Sequence, residues 1–316
     1  MSRFVSHQRA VVLMIIAAIL WSSAGVMTRQ LESARGFEVT FWRSLFAAVF
    51  VTATLMWQKR GKALASVQAL GWTGTVSGAM WAVMFCCFMI ALTMTTVANT
   101  LIVLSIAPLL TAFLAWIFLK QVIVPRTWLA IAVACAGIVW MFAQGMSQLG
   151  GPQLLGMGIA LGAPLASSVN VIVLKKAGAR IDLIPSVLVG ALLSALAMLP
   201  FCWPLQVSAH DVAILIALGF FQLGLPCMLV VTASRSLSAP EISLLALIEV
   251  LLGPVWAWLG AGEVPPAETL AGGTLVLAAL VFNELVAMRR PVSGAIAPAP
   301  DSAPQAIASS TSGTVF

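Results

Sequence analysis

One acidic residue lies deep within a long apolar segment of the chain. Glu249 is about seven residues into the segment 241–259 and has apolar neighbours on both sides. Ionisable residues inside membrane-spanning segments are rare, and they often mark ion pathways. A carboxyl group there can bind and release a proton, so we interpret Glu249 as a proton-coupling residue. The alternative is a glutamate that only hydrogen-bonds a neighbouring helix.

Arg43 and several smaller side chains are candidates for contacting a solute. Arg43 lies about one turn into a second apolar segment, where it could bind a carboxylate, or its side chain could reach the surface beside Glu38. The other candidates for substrate binding are Ser23, Trp81, Asn99, Ser105, Asn170 and Gln222. Helix packing is the alternative role for these residues, since small residues and hydroxyls also join helices.

The segments that position these residues are long enough to cross a membrane. Hydrophobic residues make up 61% of the 316 residues and charged residues 8%, against roughly 45–50% and about 25% in soluble domains. This composition excludes a cytosolic enzyme, a nucleic-acid-binding protein and a disordered chain. A spanning helix needs about 20 mostly apolar residues. Ten such segments, numbered here as spans 1 to 10, cover approximately 10–28, 40–57, 72–93, 98–119, 128–144, 155–174, 183–203, 212–232, 241–259 and 269–288.

The lysine and arginine residues predict the orientation of these spans. With the N-terminus inside, thirteen basic residues fall in inner segments, and only Arg29 and Arg35 fall in outer loops. Cytoplasmic loops are enriched in such residues. We therefore expect a multi-pass protein of a bacterial inner membrane with both termini in the cytoplasm. The last segment, 291–316, is rich in Ala, Pro and Ser, which predicts a disordered cytoplasmic tail.

Two internal similarities indicate that the chain has two related halves. Spans 4 and 5 align with spans 9 and 10 at a shift of 142 positions, which pairs Trp116 with Trp258. Span 1 resembles span 6 at a shift of 145, which pairs Ser23 with Ser168. Five spans in each half would invert the second half, an arrangement typical of transporters. We expect an all-α polytopic membrane protein with ten transmembrane helices in two inverted five-helix repeats, residues 1–150 and 151–290.

Two segments resemble motifs of the EamA-like family of drug/metabolite transporters. Residues 105–119 resemble the fourth-helix motif and residues 249–263 the ninth-helix motif, and the resemblance extends over residues 10 to 288. The sequence departs from the family pattern at Lys120-Gln121, where Gly-Glu is usual, and at Val250, where Pro is usual. The first departure removes an acid from the end of span 4. The resemblance implies metabolite export across the inner membrane and a mid-membrane cavity lined by spans 1, 3, 4, 6, 8 and 9.

These observations predict a secondary transporter that exports small metabolites, amino-acid-like or amphipathic solutes, by proton-coupled alternating access. The alternatives are an uncoupled facilitator of small solutes and an intramembrane lipid-modifying enzyme. An enzyme would need a cluster of reactive side chains, yet His7 and His210 both lie outside the spans. We therefore expect no enzyme, no cofactor and no metal site. The expected partners are a small-molecule substrate, the lipid bilayer and protons, without nucleic acid, and the protein is expected to be a monomer or homodimer.

Overall fold

Helices make up all the regular secondary structure in the described part of this computed structural model. The structure describes residues 6–34, 36–59, 63–120, 150–178, 181–237 and 239–265, together with scattered positions in 125–140 and 267–282. Within these ranges, eight helices are long and apolar enough to cross a membrane, and no strand occurs. Expected spans 5 and 10 lie mostly outside the described residues, and the tail 291–316 lies wholly outside them.

The eight helices coincide with eight of the expected spans, whose numbers we keep. They are span 1, His7–Thr28; span 2, Gly36–Lys59; span 3, Gly71–Met94; span 4, Val97–Leu119; span 6, Gly151–Ala177; span 7, Ile184–Phe201; span 8, Ala209–Ala233; and span 9, Glu241–Ala261. A short helix, Ala63–Gln68, precedes span 3. Span 2 begins earlier than expected, and its first turn contains a buried acid, Glu38, whose carboxylate accepts a hydrogen bond from the Gln206 N–H at 2.8 Å.

Three spans change register at a proline. Span 4 breaks just before Pro108, span 6 breaks just before Pro164, and span 8 contains a π-helical segment, Leu218–Gly224, just before Pro226. Proline lacks an N–H, and its ring clashes with the preceding turn. The helix therefore adjusts its hydrogen bonds locally, as π-bulges and kinks do. In contrast, the helix of span 9 continues through Pro254.

Spans 1 to 4 alternate in direction through the bundle, and so do spans 6 to 9, whereas spans 4 and 6 run in the same direction. At the end that we call the Lys59 end, Asp182 binds Lys59 at 2.6 Å and Arg235 at 3.0 Å. At the opposite end, which we call the Arg29 end, Arg29 binds Glu263 at 2.6 Å. Span 4 starts at the Arg29 end, whereas span 9 starts at the Lys59 end. The two spans related by the shift of 142 positions thus point in opposite directions.

Two glycines allow close contact between spans at residues that matter below. A Cβ atom added to Gly190 in span 7 would lie 2.4 Å from the Cβ atom of Trp81 in span 3. A Cβ atom added to Gly219 in span 8 would lie 2.8 Å from the carbonyl oxygen of Arg43 in span 2. Small residues permit such close helix packing in membranes. The positions of Trp81 and Arg43 therefore depend on these two glycines.

Candidate functional site

A central cavity that opens to the outside lies among the spans, and together with the open space at its mouth it contains about 950 Å³ not filled by atoms. The six spans implied by the family resemblance all line it, and span 2 adds Arg43. Most of the wall consists of aliphatic and aromatic side chains. Among its lining residues, Arg43 and Glu249 carry the charges. The cavity therefore combines an apolar wall with one basic and one acidic side chain, as small-molecule sites commonly do.

The cavity extends toward the Lys59 end of the bundle. Leu174, Val230 and Ile242 line it within one turn of that end of their helices. Of the lining residues, Phe88 lies nearest to the Arg29 end of its span. Even so, Phe88 is more than one helical turn from Met94, where span 3 ends. A thicker layer of packed helices thus separates the cavity from the Arg29 end.

Arg43 is held inside the cavity wall and does not extend to the surface beside Glu38. Its side chain is only 2% exposed, and its Nε donates a hydrogen bond to Gln222 Oε1 at 2.8 Å. The Gln222 amide donates in turn to the carbonyl oxygen of Trp21 at 3.3 Å. The guanidinium carbon lies 5.9 Å from the centre of the Phe88 ring, within cation–π range. One guanidinium nitrogen, Nη1, has no hydrogen-bond partner in the described structure.

Glu249 lines the same cavity and is 9% exposed. It interacts with Arg43 through its charge, but no direct salt bridge joins the two side chains. The expected position of Glu249, deep within a span, thus coincides with the wall of the cavity.

Trp81, Asn170 and Gln222 are three other sequence candidates that line the cavity. Trp81 is 2% exposed, and its indole Nε1 has no partner in the described structure. Asn170 Oδ1 accepts a hydrogen bond from Ser77 Oγ at 2.7 Å, which fixes its amide. Gln222 belongs to the π-helical segment of span 8, and π-bulges are frequent at functional sites. The structure therefore brings these three residues together with Arg43 and Glu249.

Ser23, Asn99 and Ser105 are not among the residues that line the cavity. Ser23 Oγ donates to the Leu20 carbonyl oxygen at 2.7 Å, and Ser105 Oγ donates to the Ile102 carbonyl oxygen at 2.6 Å. The Asn99 amide donates to a threonine hydroxyl one turn earlier at 3.2 Å. Their polar groups bond within their own helices or turns, as Ser, Thr and Asn often do at helix ends and breaks. These three residues therefore lie outside the cavity wall, in contrast to Trp81, Asn170 and Gln222.

Sequence reasoning missed most of the aromatic wall. Met84, Phe85 and Phe88 line the cavity together with Trp81. The positions 81, 84, 85 and 88 share one face of a helix, because they follow the spacing i, i+3, i+4 and i+7. That spacing was visible in the sequence, but nearly all other positions of span 3 are also apolar, so the face did not stand out.

Comparisons with known proteins agree with this architecture. The EamA-like transporter family model matches residues 8–143 and 154–284. The chain is 24% identical over 277 residues to the pseudopaline exporter CntI from two strains of Pseudomonas aeruginosa, covering 86% of this chain and 94% of each relative. A solved crystal structure superposes with a TM-score of 0.67 at 17% identity, covering 90% of this chain and all of that chain, and so shares its fold. The protein is therefore a multi-pass membrane transporter that belongs to the EamA-like transporter family.

Proposed function

We propose that this protein is a secondary transporter that exports small metabolites, amino-acid-like or amphipathic solutes, across the bacterial inner membrane. The observation that carries the proposal is the central cavity, in which Arg43 and Glu249 place opposite charges between apolar helices. Both relatives named above are exporters, which supports the direction of transport.

The proposed architecture has ten spans in two inverted halves, residues 1–150 and 151–290. Leu119 lies at the Lys59 end and Gly151 at the Arg29 end, which supports one more crossing between them. Lys120 and Gly262 are 142 positions apart and both adopt positive φ, 54° and 65°, just after their helices. This shared ending supports the repeat, and the opposite directions of spans 4 and 9 support its inversion.

Alternating access is the proposed mechanism, because two similar halves can exchange conformations. That exchange opens the cavity first to one side of the membrane and then to the other. The excess of basic residues at the Lys59 end supports a cytoplasmic location for that end. The cavity extends toward that end, so we propose that this conformation receives solute from the cytoplasm. At the other end, the Arg29–Glu263 ion pair joins the spans.

Protons are the proposed coupling ion, carried by Glu249. One proton crossing about 100 mV releases roughly 2.3 kcal/mol, which supports about a 50-fold gradient of a neutral solute. The second candidate is an uncoupled facilitator of small solutes. The interaction between Glu249 and Arg43 favours it, because an acid balanced by an arginine can serve the structure alone.

Transport by the reconstituted protein distinguishes the two candidates. A panel of radiolabelled metabolites, tested for efflux from cells that overproduce the protein, identifies a transported solute. That solute is then offered to proteoliposomes with and without a pH gradient. Uphill accumulation that stops when an ionophore collapses the gradient is the expected result. Simple equilibration, unaffected by the gradient, would favour the facilitator.

Reporter fusions test the proposed orientation of the chain. Fusions after Arg60 and after Arg290 should report a cytoplasmic location, and a fusion near Gly150 should report a periplasmic one. A reversal at any of these three sites would contradict the ten-span topology with both termini inside. The mass of the purified protein in detergent distinguishes the two expected oligomeric states, monomer and homodimer.

A further inference from the structure

We propose that the outer junction of spans 4 and 6, at the Lys59 end, binds an anionic phospholipid, with Lys120 and Lys176 at the phosphate of its headgroup. The proposal concerns the lipid-facing surface of the bundle and goes beyond the transport function proposed for the central cavity. Two observations carry it. Both lysines are exposed and have no acidic partner in the described structure, and an apolar stripe leads from Lys176 toward the middle of the membrane.

The acidic groups that the structure describes at this end contact other basic residues. Asp182 binds Lys59 at 2.6 Å and Arg235 at 3.0 Å. The Glu241 carboxylate lies 3.5 Å from the His7 ring nitrogen. Within the described part of the chain, the two lysines of the junction are therefore left without an acid, and an anion from outside the protein can pair with them.

Lys175 and Lys176 are neighbours in sequence, but their ammonium groups have different surroundings. The Lys175 ammonium donates to the backbone carbonyl oxygens of Ser234, at 3.0 Å, and of Leu237, so it serves the packing of the helices. Lys176 is exposed, and its ammonium lies 5.2 Å from the centre of the Phe118 ring in span 4. This cation–π contact uses one side of the ammonium and holds Lys176 against the neighbouring span.

Lys120 lies two residues after Phe118, just past the end of span 4, and is also exposed. Its backbone has a φ of 54°, and Gly262 has a similar φ of 65° at the corresponding place after span 9. The glycine shows that this helix ending needs no side chain. The lysine side chain is therefore not explained by the fold. Phe118 is next to Lys176 in space and close to Lys120 in sequence, so the two lysines belong to one surface.

An apolar stripe on span 6 leads away from Lys176. Leu165, Val169 and Val173 precede it at the spacing of one helical face. Leu165 is 50% exposed, and the two valines are half-buried. From Leu165 to Lys176 the stripe is about 16 Å long, which is close to half of the ~30 Å hydrocarbon layer. An acyl chain that lies along the stripe thus places its headgroup phosphate at the level of the lysines.

Spans 4 and 6 are joined directly behind this surface. Thr111 Oγ1 donates to Ser168 Oγ at 3.1 Å, and Ser168 Oγ donates to the Ala107 carbonyl oxygen at 3.0 Å. In the proposed orientation, the junction faces the cytoplasmic leaflet. Basic pockets between transmembrane helices on that side bind anionic headgroups.

The corresponding positions of the other half carry no such charges. The shift of 142 positions pairs Phe118 with Gly260 and Lys120 with Gly262, and the shift of 145 pairs Lys176 with Leu31. The two lysines and the ring are thus features of the Lys59 end alone and are not required by the repeat.

The test measures lipid binding to the purified full-length protein in detergent by native mass spectrometry. The probes are phosphatidylglycerol and phosphatidylcholine with the same acyl chains. We expect phosphatidylglycerol to bind at least about tenfold more tightly, since each lysine near an anionic headgroup contributes about fivefold. Equal binding of the two lipids would overturn the proposal. Glycerol phosphate, which lacks the chains, should not bind in the millimolar range, and binding as tight as that of the lipid would overturn the assignment to a phospholipid.

Variants locate the contact at the two lysines. Lys176→Gln and Lys120→Gln should each lower the affinity for phosphatidylglycerol about fivefold and leave phosphatidylcholine binding unchanged. Lys120→Gly should show the same loss. Because glycine adopts the positive φ of this position without strain, a loss in that variant does not come from unfolding. Full affinity for phosphatidylglycerol when both lysines are replaced by glutamine would overturn the site.

Arg9→Gln is the matched control. It also removes one exposed positive charge at the Lys59 end, but from span 1. The preference for phosphatidylglycerol should stay intact in this variant. A loss as large as that of Lys176→Gln would show a general effect of net charge and would overturn the assignment to the junction of spans 4 and 6.

Discussion

Arg29 and Glu263 form an ion pair in which Arg29 Nε lies 2.6 Å from Glu263 Oε2. The same guanidinium donates to the carbonyl oxygens of Leu92 and Thr95, both at 2.9 Å. The second carboxylate oxygen accepts from the backbone N–H of Val97 at 2.6 Å. This ion pair therefore connects spans 1, 3, 4 and 9 at the Arg29 end, where packed helices separate the cavity from the outside.

Loss of the Glu263 charge should weaken this connection. Glu263→Gln keeps the size of the side chain but replaces a charge-assisted hydrogen bond with a neutral one. We expect the free energy of unfolding to fall by about 1–3 kcal/mol, as for hydrogen bonds to charged groups. Denaturant unfolding in detergent measures it. Glu32→Gln, an exposed acid at the same end, is the matched control, with a change within about 0.5 kcal/mol. Equal stability of the two variants would show that the pair is dispensable.

Glu249→Gln should uncouple transport from protons. Glutamine has nearly the same shape as a protonated glutamate, but it cannot gain or lose a proton at physiological pH. If Glu249 is the coupling residue, uphill accumulation driven by a pH gradient should be abolished, while solute exchange continues. Both are measured in proteoliposomes with the solute found by the efflux panel. Normal uphill transport by this variant would end the coupling hypothesis and leave the facilitator.

A side chain at Gly190 should disturb span 3. The Cβ atom of Gly190→Ala would lie 2.4 Å from the Cβ atom of Trp81 and 2.9 Å from the carbonyl oxygen of Gly78. Neither atom is at the end of a flexible side chain, so the helices must separate. We expect the free energy of unfolding to fall by about 1–3 kcal/mol.

The control for Gly190 is the same substitution at Gly158 in span 6, where an added Cβ atom meets nothing within 4 Å. Gly158→Ala should leave stability unchanged or raise it by up to about 1 kcal/mol, because alanine favours the helix. Equal losses at both glycines, measured by denaturant unfolding, would contradict the contact between spans 3 and 7.

Lys120→Gly should stabilise the protein. Lys120 follows span 4 with φ of 54°, a left-handed conformation that costs a residue with a side chain roughly 1–2 kcal/mol. Glycine adopts it without this cost, as Gly262 does after span 9. We expect a gain of about 1 kcal/mol in the free energy of unfolding. Lys120→Ala keeps the Cβ atom and should show no such gain, so equal gains would point to the lost charge instead.

Asp182 should make stability depend on pH at the Lys59 end. Burial alone would raise its pKa, but hydrogen bonds from Lys59 and from the Ile184 N–H, with the charges of Lys59 and Arg235, bring the pKa below its usual value. The folded pKa therefore lies below the unfolded one. The stabilisation is present above the unfolded pKa and is lost as pH falls through the folded pKa.

Asp182→Asn removes this titration and should lose stability at neutral pH but much less in strong acid. Thermal unfolding, measured from neutral pH downward, should show the two proteins converging as the aspartate is protonated. A constant difference across the whole range would contradict the assignment to Asp182.

The spans could be predicted from the sequence because membrane insertion depends on local composition. About 20 apolar residues are needed to cross the hydrocarbon layer, whatever the neighbours are. Eight of the ten expected spans coincide with described helices. The depth of Glu249 and Arg43 followed from the same count, since depth along a helix is set by 1.5 Å per residue. The family also followed from local motifs, and the family model confirms it.

The face that each side chain presents was decided only by the tertiary structure. Successive residues of a helix point about 100° apart, so a break of one or two residues moves a side chain from one face to another. Such a break precedes Pro108 in span 4, and the π-helical segment before Pro226 has the same effect in span 8. Ser105 consequently bonds within its own turn, whereas Gln222 lies in the π-helical segment and holds Arg43 in the cavity wall. Apolar composition is nearly uniform around these helices, so the sequence carries no periodicity that distinguishes their faces.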